Sequence, residues 1–192
     1  GSVAVSAIVG ANVITNSIWA GIADSTVTSG STLDMDAETK ATVYALGTGV
    51  AASGVVSVQA LIAANVIVDA TSATITNSTV DAGGAVSLTA RNTSSIDALV
   101  VAVAASGTVA VTVPLVVNDI TNTTEAIISG SDVTTDSSLT MAAESSNVIR
   151  AVSVGVSASG TVAVTVSGLG NVIHNTLTSL VTGSTVTAGG SV

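Results

Sequence analysis

The sequence predicts an all-β chain, folded as a parallel β-solenoid (a β-helix) of tandem 53-residue repeats that form a wide, flattened coil. Three observations predict this fold: a repeat without insertions or deletions, a composition of strands and turns, and an absence of helical periodicity. Constant spacing is typical of solenoids, because each repeat lies on the previous one and its length is therefore held.

The repeat is clearest in the tripeptide Val-x-Val, which recurs in steps of 53 residues at Val3, Val56, Val109 and Val162. The same register aligns a glycine, an asparagine, an isoleucine and a further valine of each unit. The aligned sets are Gly1, Gly54, Gly107 and Gly160; Asn12, Asn65, Asn118 and Asn171; Ile14, Ile67, Ile120 and Ile173; and Val27, Val80, Val133 and Val186. We therefore divide one continuous segment, 1–192, into repeats 1–53, 54–106 and 107–159 and a partial repeat 160–192.

Within one unit, stretches rich in β-branched residues alternate with Gly, Asn, Asp and Ser turns. The second repeat contains five such stretches, at 56–68, 73–76, around Val80, at 85–90 and at 95–105. Their order is long, short, short, long, which favours one wide coil per repeat. Two coils of about 26 residues stay open as the alternative, because repeat length alone does not fix the number of coils.

Two patterns predict how strands are buried. Val109, Val111 and Val113 alternate with other residues, so a strand places them on one face. Residues 98–105 are apolar at nearly every position, which predicts a strand buried on both faces. The isoleucine column and the further valine column are expected to point into the core.

Stacking at about 4.8 Å predicts columns of interacting side chains. The column of Asn12, Asn65, Asn118 and Asn171 is expected to form an amide ladder, and the column of Asn16, Asp69, Asn122 and Asn175 an imperfect one. Glu38, Arg91 and Glu144 share a column of alternating sign, and Tyr44, Asp97 and Arg150 share another. Exposed ion pairs contribute only about 0–1 kcal/mol each, so these columns favour register more than stability.

Composition excludes several functional classes. Three basic residues against twelve acidic ones give a net charge of −9, which argues against nucleic-acid binding. The absence of Cys excludes disulfides and thiolate metal sites, and a hydrophobic content of 47% argues against disorder. Polar side chains suited to catalysis are scarce, so we expect no enzyme, no catalytic residues and no cofactor.

A few residues have the chemistry of a site. Asp34, Asp36 and Glu38 would share one face of a strand, where three carboxylates could hold a hard cation such as Ca²⁺. The equivalent positions of the other repeats are not acidic as a set, which favours a solvated acidic patch. His174, the one histidine, and Trp19 have no equivalent in the other repeats, and we interpret both as surface variation.

The uncharged run 98–117 has the length of a membrane helix. Ser106-Gly107 interrupts its middle, Pro114 lies near one end, and the run recurs in register with the repeat. We interpret it as strand, turn and strand, and expect a chain that does not span a membrane.

Stretches such as GTVAVTVSGLGNVIHNT and LVTGSTVTAGGSV resemble the repeats of very large bacterial surface proteins, the filamentous-haemagglutinin-like and autotransporter-type adhesins with β-solenoid shafts. The resemblance covers the whole chain and depends on composition, strand–turn rhythm and the STVTAGG-like turn. It implies a secreted, extracellular protein at the bacterial cell surface that serves as a shaft, adhesin or fibre.

Two functions follow as expectations. The first is structural: a rigid extracellular fibre or stalk without catalytic activity. The alternative is an adhesin module that recognises a carbohydrate or a host protein through a flat β face. A ladder of identical outward side chains would favour the alternative, whereas columns outside the expected core vary, which favours the shaft. No polar capping unit is found at either end, so we expect a window from a longer array that self-associates end to end into a filament.

Overall fold

Every regular element of the chain is a β-strand. The computed structural model describes all 192 residues. In chain order the strands are β1 (Val3–Ala23), β2 (Thr26–Ser29), β3 (Leu33–Ser53), β4 (Val56–Thr76), β5 (Thr79–Ala82), β6 (Val86–Ser106), β7 (Val109–Ser129), β8 (Asp132–Thr135), β9 (Leu139–Ser159), β10 (Val162–Thr165), β11 (Gly168–Thr182) and β12 (Thr185–Ala188).

Parallel pairing arranges the strands in three sheets. Sheet 1 has the order β1-β4-β7, with β10 and β11 both paired to β7; sheet 2 has the order β12-β8-β5-β2; and sheet 3 has the order β3-β6-β9. Each sheet takes one strand from each of the first three turns of the chain, so the parallel β-solenoid predicted from the sequence is confirmed.

Paired residues lie 53 positions apart in all three sheets, as in the pairs Val3–Val56, Thr79–Asp132 and Leu33–Val86. The second turn consists of two strands of 21 residues joined by one of 4 residues. A strand of that length extends roughly 70 Å, so the coil is much wider than one rung is tall. The pairing follows the single wide coil and not the alternative of two smaller coils.

Two of the expected strand breaks are wrong. The sequence pattern ends strands before residues 69–72 and 91–94, but β4 and β6 continue through both. Asp69, Asn92 and Ser94 are buried there and contact one another across the interior. A layer of polar side chains inside the coil, rather than a turn, therefore interrupts the hydrophobic pattern.

This polar layer separates two hydrophobic clusters. The cluster beside sheet 2 is centred on Ile75, Leu88 and Ile128, and the cluster on the other side of the layer on Ile67 and Ile120. The inward direction expected for the isoleucine and valine columns is confirmed. Their members in the middle turns are buried, those in the first turn pack against the clusters, and Ile173 in the last turn is 44% exposed.

The alternation along β7 is confirmed, and Val109, Val111 and Val113 lie on the outer face. Ala110 and Thr112 are fully buried, whereas Val109, Val111 and Val113 between and beside them are only partly buried. The expectation that residues 98–105 are buried on both faces is wrong, because Leu99 is 43% exposed while Val100 is fully buried.

Close stacking explains the aligned glycine of the repeat. A Cβ atom added to Gly107 would lie 2.2 Å from the carbonyl oxygen of Gly54, and one added to Gly160 would lie 2.4 Å from that of Gly107. No real Cβ contact is that short, so this turn tolerates only glycine at Gly107 and Gly160, whereas a Cβ at Gly54 would lie 3.5 Å from the carbonyl oxygen of Gly1.

A second turn requires a left-handed backbone. Asp24, Asn77, Gly130 and Gly183 form one column, and each has φ between 48° and 57°. Glycine adopts this conformation freely, and Asp and Asn are among the few other residues that tolerate it. The column thus conserves a backbone shape with three different residue types.

The uncharged run 98–117 comprises the end of β6, the glycine turn and the start of β7. The chain contains no helix long and apolar enough to cross a membrane.

The core assignment predicts different costs for two isoleucines of β7. Ile120 is fully buried, and Ile120→Ala should lower the free energy of unfolding by about 2–5 kcal/mol, because the change leaves a cavity. Ile127 lies on the outer face of the same strand and is only partly buried, so Ile127→Ala is the matched control and should cost less. Urea denaturation followed by circular dichroism measures both values. Equal costs would show that the two faces are assigned wrongly.

Candidate functional site

The interior contains a continuous amide ladder. The side-chain nitrogen of Asn12 donates to Oδ1 of Asn65 at 2.7 Å, Asn65 donates to Asn118 at 2.8 Å, and Asn118 donates to Asn171 at 2.7 Å. Asn65 and Asn118 are fully buried. The ladder predicted from the sequence is confirmed, and it satisfies polar groups that would otherwise be costly to bury.

The second expected ladder begins as predicted and then breaks. Asn16 donates to Oδ1 of Asp69 at 2.9 Å, but no bond joins Asp69 to Asn122 in the next rung. Asn122 instead donates across the interior to Asn92 at 2.7 Å and to Asn147 at 2.8 Å. The polar layer is therefore held by bonds both along the axis and across the coil.

Asp69 is the one acidic residue inside the coil, and only 2% of its surface is exposed. Its Oδ2 accepts hydrogen bonds from Ser94 at 2.9 Å and from Asn92 at 3.4 Å, and none of the ion pairs of the chain includes it. Directly above it, Oδ1 of buried Asn122 has no hydrogen-bond partner. An amide at position 69 could donate to that oxygen, and a carboxyl group without a proton cannot.

The acidic triplet lies on the outer face of sheet 3. Asp34, Asp36 and Glu38 are exposed side chains of β3, and Arg91 of the next rung approaches Asp36 at 3.6 Å. Arg91 also pairs with Glu144 at 3.2 Å, so it contacts Asp36 rather than its column neighbour Glu38. No group of three or more His, Asp or Glu side chains is placed to hold a metal ion.

The column of Tyr44, Asp97 and Arg150 forms the most structured spot on this outer face. Arg150 donates from Nε and Nη2 to the two carboxyl oxygens of Asp97, at 2.5 and 3.0 Å. These hydrogen bonds hold the pKa of Asp97 below its ordinary value of 3.8 and raise the pKa of Arg150. With Tyr44 and Leu99 the pair lines an open depression of about 380 Å³.

The remaining singled-out residues are isolated. His174 is exposed on β11, in the last turn of the chain. Trp19 is 59% exposed, and its indole nitrogen donates to the hydroxyl of Thr74 at 2.9 Å. Neither side chain is brought together with another candidate residue.

The feature that sequence reasoning missed is on the outside of sheet 1. We name the outward side chains of residues 3–11, 56–64, 109–117 and 162–170 the aliphatic face. Each outward position there is Val, Ala, Ile, Leu or Gly, and the valine columns are identical in all four rungs. The inward positions of the same stretches include Ser57, Gln59 and Thr112. The signal was present in the alternation, which places an aliphatic residue or glycine at every second position of these stretches, while the other positions mix polar residues with Leu61 and Val116.

No family model matches the chain, and no curated protein or solved structure matches it either.

The broken ladder predicts that Asp69→Asn stabilises the chain. The new amide would donate to Oδ1 of Asn122, and the hydroxyl of Ser94 could accept from it while continuing to donate to Asn92. The same change removes the oxygen that accepts from Asn92 at 3.4 Å, so we expect a net gain of only about 1 kcal/mol in the free energy of unfolding at pH 7. Asp81→Asn removes the same charge from an exposed position of β5 and is the matched control. A loss of stability in Asp69→Asn beyond that of the control would contradict this account.

The paired column predicts a dependence on pH. Because the pKa of Asp97 is lowered in the folded chain, the unfolded chain takes up this proton at a higher pH. The stability that the pair contributes is therefore present above pH 3.8, the ordinary pKa, and is lost as the pH falls through the lowered value. In Arg150→Gln the pKa of Asp97 should rise towards 3.8, as measured by ¹³C NMR titration of the carboxyl carbon. Arg91→Gln should leave it unchanged, and an equal rise in both variants would rule out the pair as the cause.

Proposed function

We propose that the chain is a structural segment of a rigid extracellular shaft of a bacterial surface protein, of the adhesin type that its repeats resemble. One observation carries the proposal: the same three strands stack in register from turn to turn, over nearly their whole length. Resistance to bending is expected of such an array, because a bend would have to break paired strands along one edge.

A shaft of this design needs many repeats. Each repeat adds one rung of about 4.8 Å, so roughly 20 repeats are needed for 100 Å of shaft. The side chains suited to binding or catalysis do not recur from one rung to the next. Tyr44, Asp97 and Arg150 share a column with three different residue types.

Both ends of this chain present unpaired strand edges, which are templates for further pairing. At one end these are β1, β2 and β3, and at the other β9, β10, β11 and β12. The two ends are not fully complementary, however. The last rung has strands over β7 and β8 but none over β9, so a second copy stacked on it would meet a step one strand deep.

A binding face remains the second candidate, favoured by the aliphatic face. Ladders of identical outward side chains do exist, in the valine columns of sheet 1. Their side chains carry no hydrogen-bonding group, which disfavours a carbohydrate as the ligand of this face and favours an apolar protein surface.

Because no strand covers β9 in the last rung, we predict that completing this rung strengthens end-to-end association. Val192 is equivalent to Leu139, so appending a copy of residues 140–159 after Val192 would complete the last rung over β9. We expect the extended chain to form filaments at a concentration at least tenfold lower than the 192-residue chain, with an axial repeat near 4.8 Å in fibre diffraction.

The control appends the same residues in scrambled order, which should not fill the step. Sedimentation velocity and electron microscopy would measure filament length for the three chains. Equal association of the extended and scrambled chains, or globular particles in all of them, would contradict the shaft proposal.

A further inference from the structure

In the half of the coil next to the glycine turn, aliphatic side chains lie on the outside, and unpaired polar groups lie inside beside buried Leu61 and Val116. On sheet 1 the aliphatic face points outward, while Ser57 and Gln59 point inward and retain side-chain oxygens without hydrogen-bond partners. Across the interior, Ser106 and Ser159 at the end of sheet 3 are in the same position. In water a solenoid gains most by placing its large aliphatic side chains inside and its hydroxyls outside. This arrangement indicates an outer face that is covered in the working assembly.

The aliphatic face of four rungs comes close to the lower size limit of a stable interface. Nine residues of strand and four rungs measure about 30 Å by 19 Å, or roughly 570 Å². The largest apolar patch of an ordinary monomer is about 300–600 Å², and stable interfaces bury about 800 Å² per partner, with roughly 600 Å² at the lower limit. Four rungs therefore come close to what a dimer needs, and each further rung adds about 140 Å².

We infer that the aliphatic face of sheet 1 packs against the aliphatic face of a second copy of the chain, so that solenoids associate side by side. A second copy supplies the same flat, uncharged surface, and apposed sheets pack at about 10 Å with their side chains interdigitated. A pairing of identical surfaces is the usual isologous arrangement of a dimer.

The charges of the chain permit this contact. The stretches that form the aliphatic face, 3–11, 56–64, 109–117 and 162–170, contain no charged residue, and on sheet 1 the first acidic outward side chains are Asp119 and Glu125. The net charge of −9 is therefore carried outside the interface, and face-to-face packing leaves the acidic side chains in water. Carbohydrate or nucleic acid would find no polar partner on this surface.

The test uses paired variants of the full chain. Ala60 is an outward residue at the centre of the aliphatic face, and Ser72 is an outward residue of the same strand beyond it. Ala60→Lys places a charge in the proposed interface and should weaken side-by-side association at least tenfold. Ser72→Lys adds the same charge outside it and should change association less than threefold.

Small-angle scattering distinguishes this association from the proposed end-to-end stacking. Side-by-side packing increases the cross-section of the particle, whereas end-to-end stacking increases only its length along the axis. If Ala60→Lys loses β structure by circular dichroism, the double variant Val58→Thr/Val111→Thr, which keeps the shape of the side chains, replaces it and should show the same loss of thickness.

Three results would overturn the inference. The first is a cross-section of one solenoid at all concentrations of the wild-type chain. The second is equal association of the Lys variants. The third is partition of the unpaired chain into phosphatidylcholine vesicles, which would make lipid the occupant of the face. Filaments that lengthen without thickening would refute the lateral contact and leave the shaft proposal standing.

Discussion

The rest of the structure depends on one constraint: each residue has its own equivalent about 4.8 Å above and below it. A side chain is acceptable only if it tolerates, at that distance, the side chains at the equivalent positions of the neighbouring rungs. Asparagine satisfies the constraint inside the coil, because an amide donates to one neighbour and accepts from the other. The ladder from Asn12 to Asn171 is the direct result. Asp69 has no side-chain N–H group to continue the ladder, and Oδ1 of Asn122 in the next rung has no hydrogen-bond partner.

The same constraint acts on the backbone. Where the glycine turn brings main chains together at Gly107 and Gly160, a Cβ atom has no space, and only glycine fits there. The turn column of Asp24, Asn77, Gly130 and Gly183 has a left-handed backbone. Asp and Asn can stand there in place of glycine, because the constraint concerns the angle φ and not the space for a Cβ atom. Two turns that look alike in composition thus have different causes.

Much of the fold could be predicted from the sequence, because the repeat reports the stacking directly. The register, the amide ladder and the inward isoleucines all follow from it. The strand breaks could not be predicted, since a polar layer inside a strand and a turn both interrupt a hydrophobic pattern. Asp69 and Ser94 look like turn residues until the opposite strand places them against each other.

The outward direction of the valines was also beyond the sequence alone. Alternation shows that Val109 and Val111 share a face, but a period of two does not say which face is inside. Hydrophobicity favours the valines as core, and the structure places Ala110 and Thr112 there instead. The Tyr44 column illustrates the same gap, because register aligns Asp97 with Arg150 but cannot show that their atoms form a two-bond pair.

Stacking also makes the apolar area of the outer surface grow with the number of repeats. A lone valine on a protein surface has little consequence, but a column of valines repeats with each turn and grows with the array. The aliphatic area of sheet 1 increases by about 140 Å² per rung, while the entropic cost of fixing one partner against another is incurred once. Lateral attraction per molecule therefore rises nearly in proportion to the number of repeats. Four rungs lie near the size at which an interface becomes stable, and a longer array of the same repeats would lie well beyond it.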